Sequence, residues 1–210
     1  MLILAKKIYD LDKYKPYLSA NIVGDLGAGK SSYAMKVAYQ VFRKKGLSEK
    51  KAWTAALNCM LFSAKDIVEW FKIHNYNNRA EITILDDASI HLSGKRWFVD
   101  SKTLTALEEL LITGRTSTKA LLVTCPDVDG LMRFLKDNVQ YRIHIKKEQH
   151  WNREAIPRLS YRYGRNHIKG WKKAGWGDKF SCKLPDDIFQ KYMKKRDRYK
   201  EAALKTLGDV

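Results

Sequence analysis

The chain has 210 residues, a formal net charge of +17 and a hydrophobic fraction of 45%, which suits one globular domain with a small addition. No segment approaches the run of about 18 apolar residues that a membrane helix needs, and the opening MLILAKK is too briefly apolar for a secretory signal. Three widely spaced cysteines fit neither a disulfide framework nor a zinc ribbon. We therefore expect a cytoplasmic protein, and its positive charge predicts a polyanionic partner, with nucleic acid ahead of acidic membranes or an acidic protein.

The first half of the chain predicts a strand, three helices and a second strand. In chain order these are a mixed lead-in (1–17), a buried strand (17–24), helices (30–46, 48–62 and 63–75) and an apolar strand that ends in two carboxylates (81–87). Apolar side chains recur at three- and four-residue spacing in the first helix, and Gly46 is placed to end it. Ser63 and Asp66 form a capping signature for the third helix.

The second half continues the alternation and then changes in composition. A helix (101–115), a strand (119–127), a short helix (128–138) and an alternating strand (139–147) are followed by a basic, aromatic-rich stretch (151–175) and a basic helix (184–207). Strands alternating with helices predict a layered α/β domain with a mainly parallel sheet. We divide the chain into a core (1–148) and a basic C-terminal extension (149–210), which carries 16 of the 40 basic residues and 7 of the 23 acidic residues.

The segment NIVGDLGAGKSSYAM contains the G-x-x-x-x-G-K-[ST] pattern of a phosphate-binding loop, the Walker A motif. Glycines let successive backbone N–H groups turn toward one phosphate, and the helix that begins at Lys30 directs its positive dipole end at the same anion. The Lys30 ammonium can reach the β- and γ-phosphates of a nucleotide, and the Ser31 hydroxyl can bind Mg²⁺. The residues expected to line this site are Gly24, Asp25, Leu26, Gly27, Ala28, Gly29, Lys30, Ser31 and Ser32.

The strand ITILDD supplies two carboxylates at its end, as a Walker B motif does. We expect Asp86 to hold Mg²⁺ through water and Asp87 to polarise the attacking water molecule. Thr124, near the tip of the next strand, is a candidate sensor of the γ-phosphate. Arg115, in the turn before that strand, is a candidate to reach the phosphate of a neighbouring subunit.

In their order, these motifs resemble the additional-strand, RecA-like class of P-loop ATPases. The stretches LDDASIHL, ITGRTSTKALLVTCPD and LPDDIFQKYMKKR are most similar to small ATPases of archaeal viruses and plasmids, which are distant relatives of the FtsK–HerA DNA pumps and of Zot-like assembly ATPases. The resemblance implies a three-layer P-loop core, ATP and Mg²⁺ binding, a homodimer or ring in the host cytoplasm, and work on DNA or virion assembly. Asp87 departs from the pattern because the class usually has glutamate there, and a shorter side chain implies slower hydrolysis.

Three functions remain open at this point. The first is an ATPase that couples hydrolysis to nucleic-acid handling, in which Lys and Arg of residues 151–175 follow phosphates and aromatic side chains stack on bases. The second is a nucleotide-gated assembly factor with slow turnover, which the short Asp87 side chain favours. The third is a small-molecule kinase, which the basic C-terminal extension and the paired aspartates make a poorer fit.

Overall fold

The computed structural model describes residues 1–11, 17–88, 101–163 and 168–208. Its α-helices are α1 (Ile3–Tyr9), α2 (Lys30–Lys44), α3 (Glu49–Asn58), α4 (Ala64–Ile73), α5 (Ser101–Thr113), α6 (Arg133–Asp137) and α7 (Asp186–Gly208). Its strands are β1 (Leu18–Val23), β2 (Met60–Leu61), β3 (Thr83–Leu85), β4 (Ala120–Cys125), β5 (Tyr141–Lys147), β6 (Asn152–Tyr163), β7 (Ile168–Lys173) and β8 (Asp178–Ser181). A 3-10 turn at Gly114–Thr116 precedes β4.

The strands form one sheet in the order β2-β3-β4-β1-β5-β6-β7, with β8 also paired to β6. Strands β2, β3, β4, β1 and β5 are parallel to one another. Strand β4 lies between β1 and β3, so the glycine-rich loop after β1 and the carboxylates after β3 are two strands apart. All of them nevertheless lie at the same carboxyl edge of the sheet.

Helices cover both faces of the parallel strands, which explains why β1 and β4 are buried along their whole length. One hydrophobic cluster packs α1, α2, α3 and α7 against Ile22, Ile84 and Leu122. The other packs α4, α5 and α6 against Val23, Leu85 and Val123. The predicted three-layer α/β fold with a mainly parallel sheet is therefore confirmed.

Strands β6, β7 and β8 extend this sheet in antiparallel orientation beyond β5. Their inner face joins the first hydrophobic cluster through Ala155 and Phe180. Asp178 in β8 accepts hydrogen bonds from the Ile3 amide at 2.6 Å and the Tyr33 hydroxyl at 2.6 Å, which connects α1, α2 and β8. The basic segment and the parallel strands thus share one sheet, and the division at residue 148 stays a prediction.

Several element boundaries differ from those expected. The lead-in contains α1, in which Leu4, Ala5 and Ile8 are buried. These three residues cover little more than one helical turn, so their spacing is too short a pattern to predict a helix. The helix predicted over 48–62 ends at Asn58, because Met60–Leu61 pairs with β3 as an edge strand. Helix α6 is shorter than the range 128–138. Residues 12–16 of the lead-in and 164–167 of the basic stretch lie outside the described residues.

Candidate functional site

The glycine-rich loop joins β1 to α2 at the carboxyl edge of the sheet, as the sequence pattern predicts. Helix α2 begins at Lys30, and its N-cap is Gly29, which has no side chain to cap the helix. The first amides of the helix therefore have no intrahelical acceptor. Among the described hydrogen bonds, the Gly27 and Gly29 amides also donate none. A row of free N–H groups and the positive end of the α2 dipole face the same space, which is the arrangement that binds an anion.

Two glycines in the loop cannot be replaced without a clash. Gly24 has φ +147°, and a Cβ there would lie 2.8 Å from the Ile145 carbonyl oxygen. Gly29 has φ +94°, and a Cβ there would lie 2.9 Å from the Cys182 Cβ. The loop thus passes close to the backbone of β5 on one side and to the segment after β8 on the other.

Lys30 is buried, and its ammonium spans the loop. Its Nζ donates to the Gly24 carbonyl at 2.8 Å and to the Asp25 carbonyl at 2.9 Å. Burial lowers the pKa of Lys30, while the nearby Asp87 carboxylate raises it. An ammonium has three N–H donors, so one remains for a ligand in the loop.

Asp86 accepts hydrogen bonds from three hydroxyl groups of the site. Its Oδ1 accepts from the Ser31 hydroxyl at 2.7 Å and from the Thr124 hydroxyl at 2.7 Å, and its Oδ2 accepts from the Tyr192 hydroxyl at 2.9 Å. The residue is 2% exposed. Burial and the adjacent Asp87 raise the pKa of Asp86, whereas its three hydroxyl donors lower it.

Asp87 follows in a left-handed backbone conformation, with φ +48°. Its amide donates to the Thr124 hydroxyl at 2.9 Å, so one threonine fixes both members of the acid pair. The Asp87 side chain lines a cavity, and its Oδ2 accepts from Nη2 of Arg196 at 2.6 Å. The two acids therefore have different environments, with Asp86 enclosed and Asp87 facing a cavity.

The C-terminal segment forms the opposite side of this site. Arg153 in β6 is buried, and its Nε donates to the Ala28 carbonyl of the loop at 3.0 Å. Tyr192 and Arg196 in α7 contact Asp86 and Asp87 as described. We call Arg153, Cys182, Tyr192 and Arg196 the C-terminal wall.

A cavity of about 540 Å³ lies between the loop and the C-terminal wall, within the size range of sites for small molecules and cofactors. Lys30, Ser31, Asp87, Arg153 and Arg196 line its polar part. Its rim carries Leu26, Trp151 and Phe189, which are 76%, 61% and 50% exposed. The cavity therefore joins a cationic floor to an exposed apolar rim.

The structure brings most of the predicted site residues together. The loop, Asp86, Asp87 and Thr124 all meet at the carboxyl edge. Arg115 does not join them, because it lies exposed in the turn before β4, at the edge where Leu18 pairs with Ala120. A six-residue strand separates the two edges by about 20 Å. Arg115 cannot contact the loop of its own chain, and its role toward a neighbouring subunit stays a prediction.

Sequence reasoning missed the C-terminal wall. In α7 the buried or half-buried residues Ile188, Tyr192 and Tyr199 form one stripe, and Arg196 falls on it at helical spacing. A cation on the apolar stripe of a helix indicates a carboxylate partner on the part of the protein against which the helix packs. The overall basic charge of the helix instead favoured an interpretation of α7 as a nucleic-acid-binding segment.

The chain is similar in sequence to a viral protein and is distantly similar in structure to several solved proteins, two of which are described below. The chain is 29% identical over 215 residues to the uncharacterized protein B-251 of Sulfolobus spindle-shape virus 1, covering 99% of this chain and 84% of the relative. The N-terminal domain of zonular occludens toxin from Neisseria meningitidis aligns with a TM-score of 0.46 and 14% identity over 83% of this chain and 97% of that one.

The monomer form of the pCW3 conjugation coupling protein TcpA, solved with ATPγS, aligns with a TM-score of 0.41 and 13% identity over 88% of this chain and 66% of that one. No protein family model matches the sequence.

Proposed function

We propose that this protein is a Mg²⁺-dependent ATPase of a viral or related mobile element and that it couples hydrolysis to nucleic-acid handling. The observation that carries the proposal is the meeting of the glycine-rich loop, Lys30 and the two aspartates at one cavity. Free loop amides and the third Lys30 donor suit a polyphosphate. The viral relative supports the assignment to a mobile element.

The residues present fit a magnesium ion. The proton of the Ser31 hydroxyl is donated to Asp86, which leaves the oxygen lone pairs of Ser31 available to a cation. Mg²⁺ prefers oxygen ligands and is commonly bound by one or two carboxylates together with phosphates and water. Ser31 would bind it directly and Asp86 through water, and the ion would neutralise charge on the phosphate oxygens.

Hydrolysis at this site transfers the terminal phosphoryl group to water. The water oxygen bonds to the γ-phosphorus, and the bond from that phosphorus to the bridging oxygen breaks, so ADP leaves with the electron pair. Asp87 orients the water and accepts its proton. Lys30 and the loop amides balance the charge that develops on the phosphate oxygens.

An ATPase assay with Lys30→Ala tests the proposal. Removing the ammonium should lower the rate of phosphate release by about a hundredfold or more. Lys50→Ala is a matched control, because Lys50 is an exposed lysine of α3 outside the cavity. Equal rates in Lys30→Ala and the control would contradict the proposed site. Transfer of phosphate to an added nucleoside, in place of free phosphate, would favour the kinase alternative.

The nucleic-acid part of the proposal is supported by the outer face of β5, β6 and β7. The register places Arg142 opposite Arg158 and Arg158 opposite Lys173, so three cations form one row across the strands. Like charges in directly opposed positions destabilise a sheet unless an anion neutralises them. The described residues provide no ion pair to any of the three.

An aromatic side chain adjoins this row. The Arg142 guanidinium carbon lies 4.5 Å from the centre of the Trp171 ring, and Trp171 is two residues before Lys173 on the same face of β7. Phosphate-binding cations beside a ring that can stack on a base are typical of surfaces for single-stranded nucleic acid. We therefore place the DNA contact on this outer face.

Binding of a fluorescent DNA strand at two salt concentrations tests this placement. Arg158→Ala combined with Lys173→Ala should weaken binding and reduce the salt slope by about 0.7 for each lost phosphate contact. Lys50→Ala combined with Lys51→Ala removes the same charge from α3 and should leave the slope unchanged. Equal losses in the two double variants would instead indicate attraction by net charge alone.

The assembly-factor alternative has its own signature. ATP hydrolysis that stays slow when DNA is added, together with oligomers that form only with ATP, would favour it.

A further inference from the structure

The last helix contacts both acids of the proposed nucleotide site. Tyr192 and Arg196 are one turn apart on α7, and they donate to Asp86 Oδ2 at 2.9 Å and to Asp87 Oδ2 at 2.6 Å. Residues at this spacing project from the same face of a helix. Helix α7 therefore presents a hydroxyl to the enclosed acid and a guanidinium to the acid that faces the cavity.

The position of Arg196 is fixed by contacts on both sides of it. Lys195 donates to the Met60 carbonyl at 2.6 Å, and the Tyr199 hydroxyl donates its one proton to the Asp66 carboxylate, whose two oxygens lie 2.6 Å and 2.7 Å away. Ile188 and Tyr192 are 3% and 5% exposed. The helix is thus held against the core before and after Arg196, which positions its side chain over the cavity.

The Arg196 guanidinium remains accessible to a ligand. Its side chain is 48% exposed and lines the cavity together with Lys30 and Ser31. A guanidinium has five N–H donors, and the described contacts of Arg196 engage one nitrogen, Nη2. The remaining donors can bind phosphate oxygens in the two-pronged geometry that arginine favours.

We propose that Arg196 is a catalytic residue that contacts the terminal phosphate of bound ATP, supplied by the same chain that supplies the loop. Its guanidinium moves from Asp87 to the phosphate oxygens, which places positive charge where the transferring group needs it. The same movement frees the Asp87 carboxylate to orient water. This inference rests on the proposed ATPase function and adds to it a residue outside the Walker motifs.

The two states of Arg196 imply a coupling between nucleotide and α7. While Arg196 forms a salt bridge with Asp87, the Asp87 carboxylate is not available to orient water. A terminal phosphate competes for the guanidinium and carries more negative charge than one carboxylate. ATP, but not ADP, should therefore break the Arg196–Asp87 pair.

The test compares Arg196→Ala, Arg196→Lys and Arg198→Ala in the full chain without DNA. Arg198 is an exposed arginine of the same helix and controls for loss of charge. For Arg196→Ala we expect kcat to fall by about a hundredfold or more while the Kd of Mg-ADP changes by less than about threefold. Arg196→Lys keeps the charge without the planar fork and should recover part of the rate. Arg198→Ala should retain the wild-type kcat.

A transition-state analogue separates catalysis from a structural role. Wild-type protein should bind Mg-ADP with aluminium fluoride more tightly than Mg-ADP alone in calorimetry, and Arg196→Ala should lose this difference. If Arg196→Ala keeps both the wild-type kcat and the preference for the analogue, or loses ADP and analogue affinity equally, the inference is wrong. A wild-type protein without Lys30-dependent hydrolysis would overturn the proposed function as well, whereas hydrolysis retained in Arg196→Ala overturns this inference alone.

Discussion

The two sides of the cavity differ in how the sequence encodes them. The loop side is local, because Gly24, Gly29, Lys30 and Ser31 lie within eight consecutive residues that join one strand to one helix. The C-terminal wall draws Arg153 from β6 and Tyr192 and Arg196 from α7, and Arg196 lies 109 residues along the chain from Asp87. A short motif can therefore form the proposed phosphate-binding loop, but the whole fold is needed to enclose it.

The largest expected effect comes from forcing the two sides apart at Gly29. Gly29→Ala combines a left-handed φ of +94° with a Cβ placed 2.9 Å from that of Cys182. We expect ATP hydrolysis to fall by about a hundredfold, since displacements of about 1 Å have effects of this size on catalysis. Steady-state kinetics and the Tm measure the change.

Gly27→Ala is the matched control for this prediction. Gly27 has φ +70°, and a Cβ there would meet no atom within 4 Å, so its replacement introduces backbone strain without a contact across the cavity. Cys182→Gly in the Gly29→Ala background removes the opposing Cβ and should recover part of the activity. Equal losses at Gly27 and Gly29, with no recovery, would show that close approach to Cys182 is unimportant.

An intermediate effect is expected from cutting the link between Arg153 and the loop. Arg153→Ala removes the bond from Nε to the Ala28 carbonyl at 3.0 Å and the bond from Nη1 to the His150 carbonyl at 2.7 Å. Because hydrogen bonds to charged groups contribute more than neutral ones, we expect the free energy of unfolding to fall by about 2 kcal/mol. Urea denaturation measures it.

The exposed Arg198 again supplies the control for Arg153. Arg198→Ala should change the free energy of unfolding by less than about 0.5 kcal/mol. ATP affinity should fall in Arg153→Ala and remain unchanged in the control. If Arg153→Ala has the stability of wild type, the C-terminal wall does not support the loop.

The smallest expected effect belongs to the Tyr192 hydroxyl. Tyr192→Phe removes one of three donors to Asp86 and keeps the ring, which packs 5.9 Å from that of Phe62. We expect a loss of about 1 kcal/mol in the free energy of unfolding, since Ser31 and Thr124 still satisfy the carboxylate. Tyr76→Phe, at a residue 78% exposed, should have no effect in the same thermal or urea melts. A gain in stability for Tyr192→Phe would mean that its hydroxyl does not stabilise Asp86.

The same contrast explains what could be predicted from the sequence. The loop, the capping box of α4 and the acid pair depend on local chemistry, and the structure places them before α2, at the start of α4 and after β3, as their patterns predict. Strand β2 was missed because two residues, Met60 and Leu61, carry no periodicity. The role of α7 was missed because the sequence of a basic helix is compatible both with DNA binding and with packing against the core. Only the observed packing of Tyr192 and Tyr199 against the core distinguishes the two.

The two lateral edges of the sheet bear on how copies of this chain associate. Strand β2 has only two residues, and the opposite edge strand β7 has the sequence IKGWKK, with three lysines. Short strands and lysines are both features that discourage backbone pairing with another sheet. A dimer or ring of this protein would consequently assemble through helices and loops, and its subunits could separate and reassociate without opening a continuous intermolecular sheet.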